Sequence, residues 1–161
     1  MQVDAAGWFQ DATKLNHTEI AALLSKKHLA PPWWAQMVAV GYEQARGLRG
    51  RYQNCDTSFN ASCSRTFDCG MKEIFRACAE DGARKKWLAG DKLVVSKANP
   101  GKNVRGKWDG ASTVELRFTA KGPGKTQVVA DHMNLQDSGD VEKMKAYWAQ
   151  SFEKLREYIS A

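Results

Sequence analysis

His132 is the polar residue whose place in the sequence best suits binding chemistry. It lies in a predicted strand and alternates with Val128 and Ala130, so the three side chains point to one face of a sheet. On an apolar face, a histidine could orient a ligand through a hydrogen bond, and a purely structural buried histidine is the alternative. Asp131 points to the opposite face, so the two side chains cannot form a catalytic base with its orienting partner.

The sequence contains no recognisable catalytic or metal-binding motif. It has no nucleophile elbow, no phosphate-binding loop and no zinc-protease helix motif, so we assign no catalytic residue and no cofactor and expect a non-enzymatic protein. His17 and His28 are eleven residues apart and Glu19 suits a helix cap, so we assign no metal site. Four cysteines lack C-x-x-C spacing and are expected to be reduced thiols: Cys55, Cys63, Cys69 and Cys78. Of these, Cys63 and Cys78 are expected to be small buried residues.

Aromatic residues are numerous enough to line a pocket. The 161 residues include 6 Trp and 6 Phe, and such side chains supply large apolar surfaces to ligand sites as well as to ordinary cores. Together with His132, the candidate ligand-binding residues are Trp87, Trp108, Phe118, Trp148 and Phe152.

The positive charge is concentrated in the middle of the chain. The composition, 43% hydrophobic and 26% charged, is that of a folded protein, and the net charge is +6. Residues 51–109 hold 12 Lys and Arg against 7 Asp and Glu. Their spacing favours a solvated sheet face over a nucleic-acid-binding stripe, and the residues concerned are Arg84, Lys85, Lys86, Lys92, Lys97, Lys102, Arg105 and Lys107.

The first residues do not resemble a targeting segment. The start, from Met1 to Asp4, has neither a basic region nor an apolar run. No apolar stretch approaches the roughly 20 residues of a membrane helix. We therefore expect a cytoplasmic protein.

Residues 1–50 are predicted to form a helical segment. Asn16 and Glu19 have capping-box spacing ahead of a helix over His17–His28, and Pro32 suits the first turn of a second helix, Trp33–Arg46. The two adjacent tryptophans cannot both face inward. The apolar stripe predicted for the inward face of the second helix consists of Trp34, Met37, Val38, Gly41 and Ala45.

Residues 55–161 are predicted to form an α+β domain. A half-buried strand begins near Ser58, and two short helices around Met71–Cys78 and Ala83–Leu88 follow it. A long C-terminal helix begins near Asp137 or Ser138, and its apolar stripe must be covered, which an antiparallel sheet could do. That stripe consists of Val141, Met144, Trp148, Phe152, Leu155 and Ile159. The remaining strands are predicted at Leu93–Val95, Val104–Trp108, Val114–Phe118 and Gln127–Leu135.

Five segments carry a resemblance to a known superfamily: Ser64–Thr66, Ala83–Leu88, Arg117–Thr126, Val128–Leu135 and Met144–Trp148. In this order they resemble the helix-grip fold of the START-like (SRPBCC) superfamily, in the branch related to the activator of heat-shock-protein ATPase. The expected architecture is a curved antiparallel sheet wrapped on a long C-terminal helix. Separately, Trp33–Val38 and Gly41–Gly47 resemble a short helical domain of unknown function, so residues 1–50 are interpreted as a separate domain.

The sequence suggests three alternative functions, two implied by the resemblance and the third by the distribution of charge. The first is a non-enzymatic module that holds a small hydrophobic ligand, or an apolar partner segment, between sheet and helix, with His132 and Arg117 giving orientation. The short sheet predicts a reduced cavity. The second is a co-chaperone-like interaction module that uses Arg105 and Lys107 against an acidic surface, and the third is nucleic-acid binding through the basic segment. Edge strands of a shortened sheet could also pair between protomers, which would give a homodimer.

Overall fold

The computed structural model describes residues 15–27, 31–50, 53–54 and 58–161. By its internal contacts the chain divides into two compact units, residues 1–51 and 52–161. His28, predicted to end the first helix, and Cys55, predicted to be a reduced thiol, lie outside the described residues.

The described residues of the first unit form two helices, α1 (His17–Lys27) and α2 (Pro32–Ala45). The predicted capping box is confirmed at the start of α1. The Glu19 backbone N–H donates to Asn16 Oδ1 at 3.0 Å, and the Asn16 N–H donates to Glu19 Oε2 at 2.8 Å. Each side chain thus satisfies a backbone donor that the first helical turn leaves unpaired.

The predicted inward stripe of α2 is wrong. Trp33 and Trp34 are 61% and 50% exposed, and their rings stack on each other with centroids 4.5 Å apart. The buried face instead carries two alanines, because small side chains let helices approach closely. Its buried residues are Ala35, Ala39, Tyr42 and Glu43.

In the part of the second unit that the structure describes, one sheet packs with three helices. All strand pairs are antiparallel, in the order β1-β5-β4-β3-β2. The fold is therefore α+β, with a helix-grip arrangement, as the sequence predicts. The elements are β1 (Phe59–Phe67), α3 (Met71–Ala79), α4 (Asp81–Trp87), β2 (Leu93–Asn99), β3 (Asn103–Trp108), β4 (Ser112–Gly122), β5 (Lys125–Leu135) and α5 (Ser138–Ser160).

The apolar stripe of α5 is covered by the sheet, which confirms the central structural prediction. Asp137 caps the helix by accepting a hydrogen bond from the Asp140 N–H at 2.8 Å. The helix then contacts β1 and β5. Trp148, Phe152 and Leu155 are fully buried in the same core as Phe67, so the helix and the sheet bury a common apolar layer.

Arg84 was expected on a solvated face, and that prediction is wrong. Its side chain lies in α4 and is only 2% exposed, and its Nε donates to Asp91 Oδ2 at 2.9 Å. The guanidinium also donates to the backbone carbonyls of Cys78, Ala79 and Leu93. A buried arginine persists only with such partners, so this residue joins α3, α4 and β2 instead of contributing to a charged surface.

Gly106 in β3 stands where the sheet leaves no room for a side chain. A Cβ atom there would lie 2.2 Å from the backbone oxygen of Val94, on the neighbouring strand. The pairing of β2 with β3 shifts register just beyond the Val95–Gly106 pair. Glycine is thus required because the two backbones approach too closely for any Cβ.

We expect Gly106→Ala to destabilise the second unit by about 1–3 kcal/mol, since relief of the clash must move backbone. The free energy of unfolding in urea measures this loss. Gly82→Ala in α4 is the matched control, because nothing lies within 4 Å of its new Cβ, and its effect should stay within about 1 kcal/mol. Equal stability of the two variants would contradict the packing at Gly106.

Candidate functional site

An open pocket of about 230 Å³ lies at one end of the second unit. It is formed by the turn between β3 and β4, the end of β5, and the first turns of α5. The turn is tight because Asp109 and Gly110 both have positive φ (52° and 74°). The described residues that line the pocket are Trp108, Asp109, Ala111, Ser112, His132, Asn134, Leu135, Gln136, Asp140 and Met144.

A hydrogen-bonded chain runs along the base of the pocket. The Trp148 Nε1–H donates to His132 Nδ1 at 3.3 Å, and His132 Nε2 lies 2.7 Å from Ser112 Oγ. The Ser112 hydroxyl in turn lies 3.4 Å from the Trp108 carbonyl oxygen. The strand register brings these residues together. On β4, Val114 pairs with His132 of β5, and Ser112 pairs with Trp108 of β3.

The chain of hydrogen bonds determines the tautomer of His132. An indole N–H can only donate, so His132 Nδ1 must accept and the ring proton lies on Nε2. That Nε2–H donates to Ser112 Oγ, whose own proton is then free to point to the Trp108 carbonyl. Every polar atom of the His132 ring is thus satisfied without a charge.

Burial keeps His132 neutral. The side chain is fully buried, and desolvation lowers its pKa from the ordinary 6.5 to about 4. At neutral pH the ring is therefore an uncharged hydrogen-bonding group, and Nδ1 has no free lone pair that could act as a base.

Aromatic rings surround this histidine. The centroid of the Trp108 ring lies 5.5 Å from His132, 5.7 Å from Trp148 and 5.3 Å from Tyr147. The contacts with His132 and Tyr147 are edge-to-face, a geometry that aromatic pairs prefer. Tyr147 is further fixed by donating its hydroxyl hydrogen to the Ala89 carbonyl at 2.8 Å.

The six candidate residues occupy three different environments. Trp108 and His132 line the pocket. Trp148 lies beneath them, and Phe152 contacts Trp148 at 6.0 Å. Trp87 and Phe118 are not at the pocket: Trp87 is buried and donates to the Ala77 carbonyl, and Phe118 packs against Phe75.

Arg117, expected to help orient a ligand, lies on the other face of the sheet. Its Nε donates to Asp131 Oδ2 at 2.8 Å, and both side chains point away from His132. Strand alternation explains this, because Leu116 and Phe118 beside it are the buried residues of β4.

Five polar lining residues were not anticipated from the sequence: Asp109, Ser112, Asn134, Gln136 and Asp140. The Asp109-Gly110 pair signals the turn and Asp140 follows the cap, but neither signal says that the turn and the helix start adjoin. Lys92 Nζ lies 2.7 Å from Asp109 Oδ2, and Lys143 Nζ lies 3.4 Å from Asp140 Oδ1. Both carboxylates therefore have one oxygen engaged by a lysine.

The described cysteines are not poised as nucleophiles or ligands. Burial raises the pKa of Cys78 strongly and that of Cys69 to about 11, with the Glu73 hydrogen bond adding to the latter. Within the described ranges, no three His, Cys, Asp or Glu side chains are grouped to hold a metal ion. His17 instead contacts Glu43 at 3.1 Å and Gln36 at 2.6 Å.

No helix among the described residues is both long and apolar enough to cross a membrane.

The fold and the pocket define a START-like helix-grip protein. The family model described as "Activator of Hsp90 ATPase homolog 1-like protein" matches residues 21–160, and the chain belongs to that family. No curated protein matches the chain.

Solved structures share the fold at low sequence identity. Protein MLL2253 from Mesorhizobium loti is 18% identical, with a TM-score of 0.55, over 63% of this chain and 96% of that one. The Aha1 dimer from Colwellia psychrerythraea is 17% identical, with a TM-score of 0.52, over 61% and 93%. The AHSA1 protein from Silicibacter pomeroyi is 14% identical, with a TM-score of 0.53, over 63% and 97%. At these identities the likeness extends to the fold alone.

Proposed function

We propose that the second unit binds a small aromatic ligand in the pocket above His132, without transforming it. The observation that carries this proposal is a solvent-open pocket whose base is aromatic and whose buried polar groups are satisfied. A base of this kind offers apolar contact without unpaired polar groups that the ligand would have to satisfy. The neutral state of His132 and its occupied Nδ1 support binding over proton-transfer catalysis.

The pocket volume favours a compact ligand. About 230 Å³ exceeds the roughly 150 Å³ of a cavity that holds benzene, and it is below the roughly 300 Å³ at which typical ligand pockets begin. A single ring with a short chain fits these limits. Its affinity would come mainly from buried apolar area, at about 25 cal/mol per Å².

Thermal unfolding of the full chain with a panel of single-ring compounds tests the proposal. We expect at least one compound to raise the melting temperature of the parent and not that of Ala111→Phe, in which the new ring occupies the pocket. Ala120→Phe is the matched control, because Ala120 is exposed on β4 and does not line the pocket. Absence of stabilisation by every compound, or equal stabilisation of Ala111→Phe, would refute ligand binding here.

A second candidate function is a co-chaperone-like interaction, which the family description suggests. Arg105 and Lys107 are both exposed on β3, and Lys97 pairs with Arg105 across the strands. Three adjacent cations would attract an acidic partner surface in a salt-sensitive manner.

The ATPase rate of purified Hsp90 tests this second function. We expect stimulation by the parent chain at low salt and its loss in Arg105→Glu/Lys107→Glu. The double variant Lys121→Glu/Lys125→Glu, with two exposed charge reversals at the turn between β4 and β5, serves as the control for net charge. No stimulation at low salt would remove this candidate.

A further inference from the structure

The hydrogen-bond donors at the base of the pocket are all committed. The Trp148 N–H is used by His132, the His132 Nε2–H by Ser112, and the Ser112 hydroxyl by the Trp108 carbonyl. A hydroxyl oxygen has two lone pairs, so Ser112 Oγ keeps one after accepting from His132. The base can therefore accept one more hydrogen bond, and it has no donor to offer.

The charged groups that line the pocket, like its base, favour a ligand that donates hydrogen bonds. Asp109 and Asp140 are the ionisable residues among the described lining residues besides neutral His132, and no lysine or arginine lines the pocket. Lys92 and Lys143 contact one oxygen of each carboxylate, and among the described residues no side chain occupies the other. This acidic lining is notable in a chain whose net charge is +6.

From this inventory we infer that the pocket selects aromatic amines in the protonated form over neutral or anionic ligands of the same shape. This rests on the proposed function, which supplies the aromatic contact. A primary ammonium group donates three hydrogen bonds and accepts none, which matches the Ser112 lone pair and the second oxygens of Asp109 and Asp140. The side-chain amides of Asn134 and Gln136 also line the pocket and can accept through their oxygens as well as donate. A carboxylate ligand would find no free donor at the base, could accept only from the amides of Asn134 and Gln136, and would lie beside two carboxylates that are each paired with a lysine on one oxygen.

Three commercial compounds with one ring and one chain length provide the test: 3-phenylpropylamine, 3-phenylpropan-1-ol and 3-phenylpropanoate. At pH 7.5 the amine is protonated, since alkyl amines titrate near pH 10, and the acid is ionised. By titration calorimetry on the full chain, we expect the amine to bind at least tenfold more tightly than the carboxylate, with the alcohol between them. The preference should shrink as salt increases, because the carboxylates lie at an open rim.

Charge-neutral variants then locate the selectivity. Asp140→Asn and Asp109→Asn should each reduce the preference for the amine over the carboxylate by about threefold or more. Asparagine tolerates the positive φ of residue 109, so the turn should be kept. Asp68→Asn is the matched control, because this exposed carboxylate pairs with Lys125 and does not line the pocket.

The outcomes separate the two proposals. Equal binding of all three compounds, or tightest binding of the carboxylate, would overturn ammonium selectivity and leave aromatic ligand binding intact. No binding by any compound, including those of the wider panel, would refute both. A selectivity that Asp68→Asn reduces as much as the two pocket variants would also overturn the inference, because it would then follow from net charge alone.

Discussion

Replacement of Arg84 by Met should lower the free energy of unfolding of the second unit by about 3–5 kcal/mol. Most of this loss comes from the buried Asp91 carboxyl, which loses its partner, and less from the removal of the arginine side chain itself. The Asp91 side chain is only 3% exposed and would lose its cationic partner. Breaking a buried ion pair from one side is costly because the remaining group loses its charged partner and gains little water. Asp91 would keep the hydrogen bond from the Leu93 N–H, which donates to its Oδ1 at 3.0 Å.

The carbonyl partners of Arg84 add to this effect. Its guanidinium donates to the oxygens of Cys78 and Ala79 at 3.3 Å and of Leu93 at 3.1 Å. Methionine has a comparable length and no donor, so these acceptors lose their side-chain partner together. Because they lie at the end of α3 and the start of β2, the connection between the short helices and the sheet weakens as a whole.

Urea unfolding followed by far-ultraviolet circular dichroism measures the Arg84 effect. Lys85→Met is the matched control, because it removes an exposed positive charge from the same helix, and it should change stability by less than about 0.5 kcal/mol. Adding Asp91→Asn to Arg84→Met should recover part of the lost stability, since asparagine leaves no buried carboxyl without a cationic partner. A cost for Arg84→Met no greater than that for Lys85→Met would show that the buried pair contributes nothing.

Hydrophobic periodicity in the sequence was sufficient to predict the layered fold. The α5 stripe from Val141 to Ile159 requires a cover, and the alternating strand β5 supplies an apolar face of Val128 and Ala130. Both signals are local and mutually consistent, so the sheet-on-helix arrangement follows from them.

Two predictions of burial from residue type, for Trp34 and Arg84, were wrong because contacts with neighbouring elements decide which side chains are buried. In α2 the bulky Trp34 was expected inward, but α1 packs against Ala35 and Ala39, and the tryptophan remains exposed. Arg84 was expected outward because arginine is usually exposed, yet Asp91, seven residues further on, pairs with it in the interior. Neither pairing is visible without the positions of the neighbouring elements.

The candidate site could be predicted only in its strand-borne part. His132 follows from alternation along β5, and Trp108 from its place at the end of β3. Ser112 is 20 residues from His132 in sequence and reaches it through strand register. Asp140 lines the pocket only because α5 begins beside that end of the sheet. The acidic character of the pocket rim therefore has no local sequence signal.

Acidification from pH 7 to pH 5 should destabilise the second unit by about 2 kcal/mol through His132 alone. The pKa of this ring is about 4 in the folded protein and 6.5 when unfolded. Between these values the unfolded state binds a proton that the folded state does not, so stability falls as pH falls through this window. The full contribution, complete below about pH 4, is about 3 kcal/mol.

The variant His132→Gln isolates this contribution, because carboxylates also titrate as the solution becomes acidic. Glutamine has no charge at any of these pH values, so the loss of stability from pH 7 to pH 5 should be smaller in the variant by about 2 kcal/mol. At pH 7 the variant should itself be less stable, since Trp148 and Ser112 lose an imidazole that accepts from one and donates to the other.

Nitrogen-15 NMR of the imidazole provides a direct check on the mechanism behind this pH dependence. At pH 7 the His132 resonances should be those of a neutral ring with the proton on Nε2, because the Trp148 N–H occupies Nδ1. They should stay unchanged down to about pH 5, since protonation of Nδ1 would require the indole to turn away. A ring that titrates near pH 6.5, or one protonated on Nδ1, would contradict both the buried hydrogen-bond chain and the acid sensitivity that follows from it.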